Sequence, residues 1–206
     1  MNNIATQYTH MTLWRAFRYL VQMYDVAYPN GQRKDEALAL RLAALSMGFF
    51  ALEAFLNHLI QALSPDVWKN ERQCFSGRQP IDGDTYRGPV DKLRYVHTLC
   101  CRNYDENDEV IQTVVRMKEL RDMMAHGRSY YDDPDDIHAT NLASIPLPQS
   151  HVFTIATHDL LVSAVKHLDN LRTNLFEDAQ RRTKEVDLGP HPNLGISSIQ
   201  IITVRP

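Results

Sequence analysis

Residues 34–63 read KDEALALRLAALSMGFFALEAFLNHLIQAL, and their spacing decides the fold class. Leu38, Leu42, Leu45, Phe49, Leu52, Leu56, Leu59 and Leu63 recur at alternating steps of four and three. That rhythm lays one apolar stripe down a helix of about eight turns. Phe50, Ala54 and Ile60 add a second strip beside it, so the helix is expected to be central and largely buried. Ser64-Pro65 ends it, because the residue before a proline avoids helical geometry. Arg41, Glu53, Asn57 and His58 interrupt the apolar run, which argues against a membrane span. Glu53 and Asn57, one turn apart, need polar partners if that face is buried.

Similar patterns lie on either side. Residues 12–28 carry helical spacing and stop at Pro29-Asn30-Gly31, a turn signal. A third helical region begins at Pro89, breaks near Asn103 and resumes as DENDEVIQTVVRMKELRDMMAH (105–126), where Gly127 stops it. The carboxylates of Asp105, Glu106, Asp108 and Glu109 complement the positive end of that helix dipole. A last helix begins after Thr157 with Leu160, Ala164, Leu168, Leu171 and Leu175 on its stripe. Residues 64–88, rich in Gly, Pro and Asp, read as a long loop with a short helical turn near 65–72. Such loops are often functional, and this one holds Lys69, Arg72, Arg78 and Arg87. HVFTIA (151–156) alternates like a strand and is paired here with an edge strand ISSIQIITV (196–204). The expected fold is therefore all-α: an antiparallel four- to five-helix bundle with long connections and a small two-stranded β appendage. A single domain spans 1–206, with its core at about 10–185 and a strand-like tail at 190–206.

Composition narrows the function. The 206 residues hold 22 Lys and Arg against 25 Asp and Glu, a net charge of −3 with the signs mixed along the chain. No global field draws the protein to nucleic acid or anionic lipid, so any RNA site is local and no membrane partner is expected. Cys74, Cys100 and Cys101 are odd in number and two are adjacent, which points to reduced thiols and a cytoplasmic protein. The opening MNNIATQYTHMTLWRAF lacks the basic start and unbroken apolar run of a secretory signal. His97 with Cys100 and Cys101 lacks a second ligand pair, so neither a metal nor a cofactor is expected.

One helix carries two residues that the bundle pattern does not explain. Val110, Val114, Met117, Arg121 and Met124 follow the four-three rhythm, which sets a guanidinium on an apolar stripe. Burying it costs several kcal/mol unless it meets an anion, and an ion pair with Glu53 inside the bundle is one answer. His126 follows five residues later, about 140° around the helix and about 7.5 Å along it. The helix C-terminus favours imidazolium and the arginine opposes it, which leaves the histidine titrating near neutrality, where a general acid or base works.

Arg121-Asp122-Met123-Met124-Ala125-His126, closed by Gly127, resembles the signature of the HEPN superfamily of prokaryotic toxins and antiviral ribonucleases. That signature is an arginine and a histidine a few residues apart, often with Asn, Asp or His directly after the arginine, as Asp122 is here. FFALEAFLNHLI (49–60) is similar to the second-helix segment of many members, and the likeness extends over about residues 10–185. The resemblance implies a metal-independent endoribonuclease, a toxin or defence effector, in which the ribose 2′-OH attacks its own phosphate. It implies a homodimer that apposes two motifs, with Arg121 and His126 catalytic and Asp122, Glu53 and Asn57 supporting them. Arg128, Arg87 and Arg78 are the candidate RNA contacts, and an antitoxin or other regulator is an expected partner. One subfamily carries a tyrosine two residues past the histidine, where this chain has Arg128. The acidic run DDPDD (132–136) is expected to point away from the cleft. Two alternatives stand beside this reading: a non-catalytic HEPN-like module binding a nucleotide or protein, and a plain helical dimerisation domain with Arg121 paired to Glu53.

Overall fold

The leucine stripe becomes α2 (Asp35–Leu63), the helix on which α1 (Thr9–Ala27), α5 (Gly88–Leu99), α6 (Glu109–His126) and α8 (His158–Arg182) all pack. The structure, a computed structural model, describes residues 9–29, 35–126, 151–183, 188–189 and 191. Leu38, Leu45, Phe49, Leu52, Leu56 and Leu59 are buried, and Leu42 and Leu63 pack partly buried against the same core. Each fully buried leucine of this kind contributes roughly 1.5–3 kcal/mol by leaving water.

The directions of the helices follow from their side-chain pairs. Along α1 and α2, Phe17 meets Gly48, His10 meets Phe55 and His58, and Tyr24 meets Arg41, so the two run antiparallel. Arg18–Asp169 and Tyr24–His158 set α8 antiparallel to α1. Arg121 over Phe49 and Met124 beside Ser46 set α6 antiparallel to α2. At Gly48, α1, α2 and α6 meet closely: a Cβ there would stand 3.0 Å from a Phe17 ring carbon and 3.1 Å from the Met117 methyl.

Four expectations change. HVFTIA is not a strand: residues His151–Ile155 form the short helix α7. Val152 and Ile155 pack against the core and Ala156 is fully buried, a spacing of three and then one that a single helical turn satisfies as well as alternation does. The proposed β appendage thus loses one of its two strands, and the other, 196–204, lies outside the described residues. Second, 64–88 carries the expected helical turn near 65–72, but the rest is not a plain loop. It forms α3 (Pro65–Lys69) and α4 (Glu71–Cys74), then a clasp closed by the isolated bridges Ser76–Arg87 and Ile81–Asp84. Phe75, Ile81 and Tyr86 from this run are buried, and Phe75, Tyr86 and Tyr95 form a ring cluster with centroids 5.4–6.0 Å apart. Gly77, at φ 76°, lies against the Arg87 side chain, where a Cβ would come within 2.6 Å of Nε. Third, Phe50 is not on a buried strip; it is 43% exposed. Fourth, α6 begins at Glu109 rather than 105, and Asp108 Oδ1 accepts from Val110 N at its start. The expected start of α8 is seen as drawn: Thr157 Oγ1 accepts from Leu160 N at 3.1 Å.

Several polar interruptions of the core find contacts across helices. Arg41 Nε donates to Ala156 O at 2.8 Å, the carbonyl left over where α7 ends, and its Nη1 donates to Tyr24 Oη at 3.3 Å. That Tyr24 hydroxyl also shares a hydrogen bond with His158 Nδ1 at 3.1 Å. Arg172 stacks its guanidinium 3.9 Å from the Trp14 ring centroid, and burial lowers its pKa to about 10 against the pull of Asp169. His10 stacks on His58 with centroids 4.8 Å apart; burial, His58 and Arg172 push its pKa down to about 4.

Candidate functional site

The site is assembled on the last turns of α6. Leu120 and Met117 are fully buried and fix the rotation of this helix, which turns Arg121, Asp122 and Met124 toward its outer edge beside α2. Arg121 keeps 21% of its side chain exposed and lies over the Phe49 ring, its guanidinium carbon 5.1 Å from the centroid. Asp122 is a bridge: Oδ1 sits 2.7 Å from Arg121 Nη1, and Oδ2 sits 2.8 Å from Lys118 Nζ. Two cations share one carboxylate, so the group keeps one net positive charge facing solvent. Arg121 Nε is buried without a hydrogen-bond partner, which leaves donor capacity on the guanidinium unused. An aromatic face and a carboxylate together fix the orientation of this flat guanidinium.

His126 is the last residue of α6; its side chain lies outside the described residues, as do Gly127, Arg128 and the acidic run 132–136. The helix therefore delivers His126 to its C-terminal end, about one and a half turns past Arg121.

Glu53 and Asn57 do not reach Arg121. Both turn to Lys92, a buried lysine on α5 whose side chain is 6% exposed. Lys92 Nζ lies 2.5 Å from Glu71 Oε1, donates to Asn57 Oδ1 at 2.9 Å and lies 3.6 Å from Glu53 Oε1. Phe75 covers the same ammonium, its ring centroid 5.7 Å away. This node ties α2, α4 and α5 together and gives both polar residues on α2 a partner. The Arg121–Glu53 ion pair weighed from sequence is absent among the described ion pairs. Arg78 and Arg87 are both exposed on the clasp, and Arg87 N donates to Asp91. His97, weighed with Cys100 and Cys101 as a ligand, bonds Asn103 O through Nδ1 and stands edge-on to Tyr104.

Two contributors were not foreseen. Phe49 was read only as a core residue, yet it is the surface on which Arg121 rests. Lys92 carried a signal that could have been used: it precedes Val96 by one turn on the buried face of α5, the mirror of Glu53 and Asn57 on α2. A cation on one apolar face and a carboxylate on another are a pair to be tested together. No protein-family model, curated protein or solved structure matches this chain.

Proposed function

We propose that the protein is a metal-independent endoribonuclease of HEPN type, with Arg121 as phosphate clamp and His126 as the proton-transfer group. The observation that carries the reading is the state of Arg121. It is 21% exposed and oriented by Phe49 and Asp122 near the end of α6, five residues before His126, while the carboxylate that would have made it a core ion pair is held by Lys92. The plain dimerisation reading needed that core ion pair.

The chemistry assigns each group a task. A base removes the proton from a ribose 2′-OH, the oxygen attacks the adjacent phosphorus, and the P–O5′ bond breaks as an acid protonates the leaving oxygen. The products are a 2′,3′-cyclic phosphate and a 5′-hydroxyl. Arg121 offsets the charge that builds on the non-bridging oxygens. One chain supplies one motif histidine, and base and acid act on opposite sides of the phosphorus. Two chains related by a two-fold axis supply both.

The test is cleavage of total RNA in EDTA by wild type, Arg121→Ala and His126→Ala, with thermal melting as the folding control. The wild type is expected to cleave, and each variant to lose roughly 10²–10³-fold while melting within a few degrees of it. Equal behaviour of three folded proteins sinks the catalytic reading.

A further inference from the structure

We infer that the cleft between the end of α1 and the start of α8 binds a small zwitterion with an apolar body, an aliphatic α-amino acid. The cleft has a volume of about 300 Å³, at the lower end of the range for small-molecule sites. Val21 of α1 and Leu161 of α8 form its floor and are buried, while Val162, 53% exposed, stands at its mouth. Three polar side chains line the same space: Asp25 from α1, and His158 and Lys166 from α8.

None of the three is used up by the fold. Asp25 and Lys166 make no ion pair or hydrogen bond among the described residues, either with each other or with a neighbour. His158 shares Nδ1 with the Tyr24 hydroxyl at 3.1 Å, which leaves Nε2 without a partner among the described residues. Tyr24 also accepts from Arg41, which donates to Ala156 O at the end of α7, so this wall is fixed before a ligand arrives. Farther along the same two helices Arg18 and Asp169 close on each other at 3.2 Å. At the cleft, a carboxylate and an ammonium stay apart across an apolar floor.

That arrangement selects a ligand by charge as well as by shape. Asp25 takes an ammonium, Lys166 takes a carboxylate, His158 Nε2 offers a further hydrogen bond, and the floor takes an aliphatic side chain. An α-amino acid carries its two charges about 3 Å apart on one carbon. A charge-assisted hydrogen bond of about 2.8 Å on either side brings the span to about 8–9 Å. One helix-to-helix spacing is about 8–10 Å. A simple amine leaves Lys166 unmatched, and a simple acid leaves Asp25 unmatched. No residue of the cleft belongs to the Arg121–His126 motif, so the inference stands apart from the ribonuclease reading.

The experiment is an amide NMR titration of the full chain with L-leucine, beside isocaproate, which lacks the amine, isoamylamine, which lacks the carboxylate, and N-acetyl-L-leucinamide, which lacks both charges. A ligand of about nine non-hydrogen atoms is expected to bind with a Kd on the order of 1 mM, so the titration runs to about 20 mM. Leucine is expected to give saturable shifts confined to the amides around Val21–Asp25 and His158–Lys166, and each analogue to bind roughly 3–5-fold more weakly for each charge it lacks. Asp25→Asn is expected to weaken leucine by the same factor and leave isocaproate unchanged; Lys166→Met does the same with isoamylamine as the unchanged ligand. Both side chains are exposed, so both variants keep the fold, and thermal melting checks it. Shifts that fail to saturate, shifts centred elsewhere, or variants that leave the ranking of the ligands as it was overturn the inference. So does equal binding of N-acetyl-L-leucinamide, which assigns the cleft to a side chain of a partner protein instead.

Discussion

Replacing Lys92 by methionine removes the charge that holds α2, α4 and α5 together, and the structure sets the size of the effect. Glu71 Oε1 and Glu53 Oε1 lie 2.5 and 3.6 Å from the same nitrogen, so the two oxygens are at most about 6 Å apart. Without the ammonium, two unit charges at that distance repel by about 3 kcal/mol at an effective dielectric constant of about 20. Both carboxylates keep about a quarter of their surface in water, 25% and 27%, so the loss belongs at the lower end of the 3–5 kcal/mol typical of a broken buried pair. For a chain of this size, about 3 kcal/mol lowers the melting temperature by roughly 6–12 °C. Adding Glu53→Gln and Glu71→Gln to Lys92→Met removes the repulsion, and the triple variant is expected within about 1 kcal/mol of wild type. Urea denaturation followed by circular dichroism measures both. A single variant within 1 kcal/mol of wild type, or a triple variant no better than the single, refutes the assignment of Glu53 and Asn57 to a structural node.

Two further outcomes follow from the core. Gly48→Val places a branched side chain where even a Cβ would stand 3.0 Å from Phe17 and 3.1 Å from Met117; overpacking is expected to cost about 2 kcal/mol after the small gain in helix propensity, read by chemical denaturation, and an equally stable variant contradicts the close crossing. His10 has a folded pKa of about 4 against 6.5, so the unfolded chain takes up its proton first as the pH falls. Its stabilisation is complete above about pH 6.5 and lost toward pH 4, by about 3 kcal/mol at about 1.4 kcal/mol per pH unit. The groups that act on it besides burial are His58 on α2 and Arg172 on α8, and Arg172 is in turn acted on by Asp169 and Arg18. Stability measured from pH 7 to 4 is expected to fall more steeply for wild type than for His10→Gln, and parallel curves refute the assignment.

Much of the bundle was legible because helix formation is read from neighbours three and four residues apart. The stripe on α2, the Thr157 cap of α8 and the end of α6 at His126 all follow from spacing within one or two turns. HVFTIA was misread because six residues alternate as well as they repeat at three and four, and only the packing of Val152, Ile155 and Ala156 separates the two. Phe50 was misread because an apolar residue beside a buried stripe looks the same in the sequence whether the fold covers it or not. The clasp at 75–87 was hidden by its Gly, Pro and Asp content, which reports the turns and not the buried Phe75, Ile81 and Tyr86 beneath them.

For the site, the sequence by itself determined which side chains are anomalous: an arginine and a histidine closing one helix, and a glutamate and an asparagine on the apolar face of another. Only the tertiary structure decided their partners. Lys92 bonds Asn57 across 35 residues and Arg41 bonds Ala156 across 115. The cost of burying a polar group is visible in a local pattern, since it depends only on the apolar residues around it. The group that offsets the cost comes from whichever helix packs alongside, and packing is a property of the whole chain. Glu53 therefore went to Lys92, and Arg121 was left near the end of α6, resting on Phe49 and paired with Asp122.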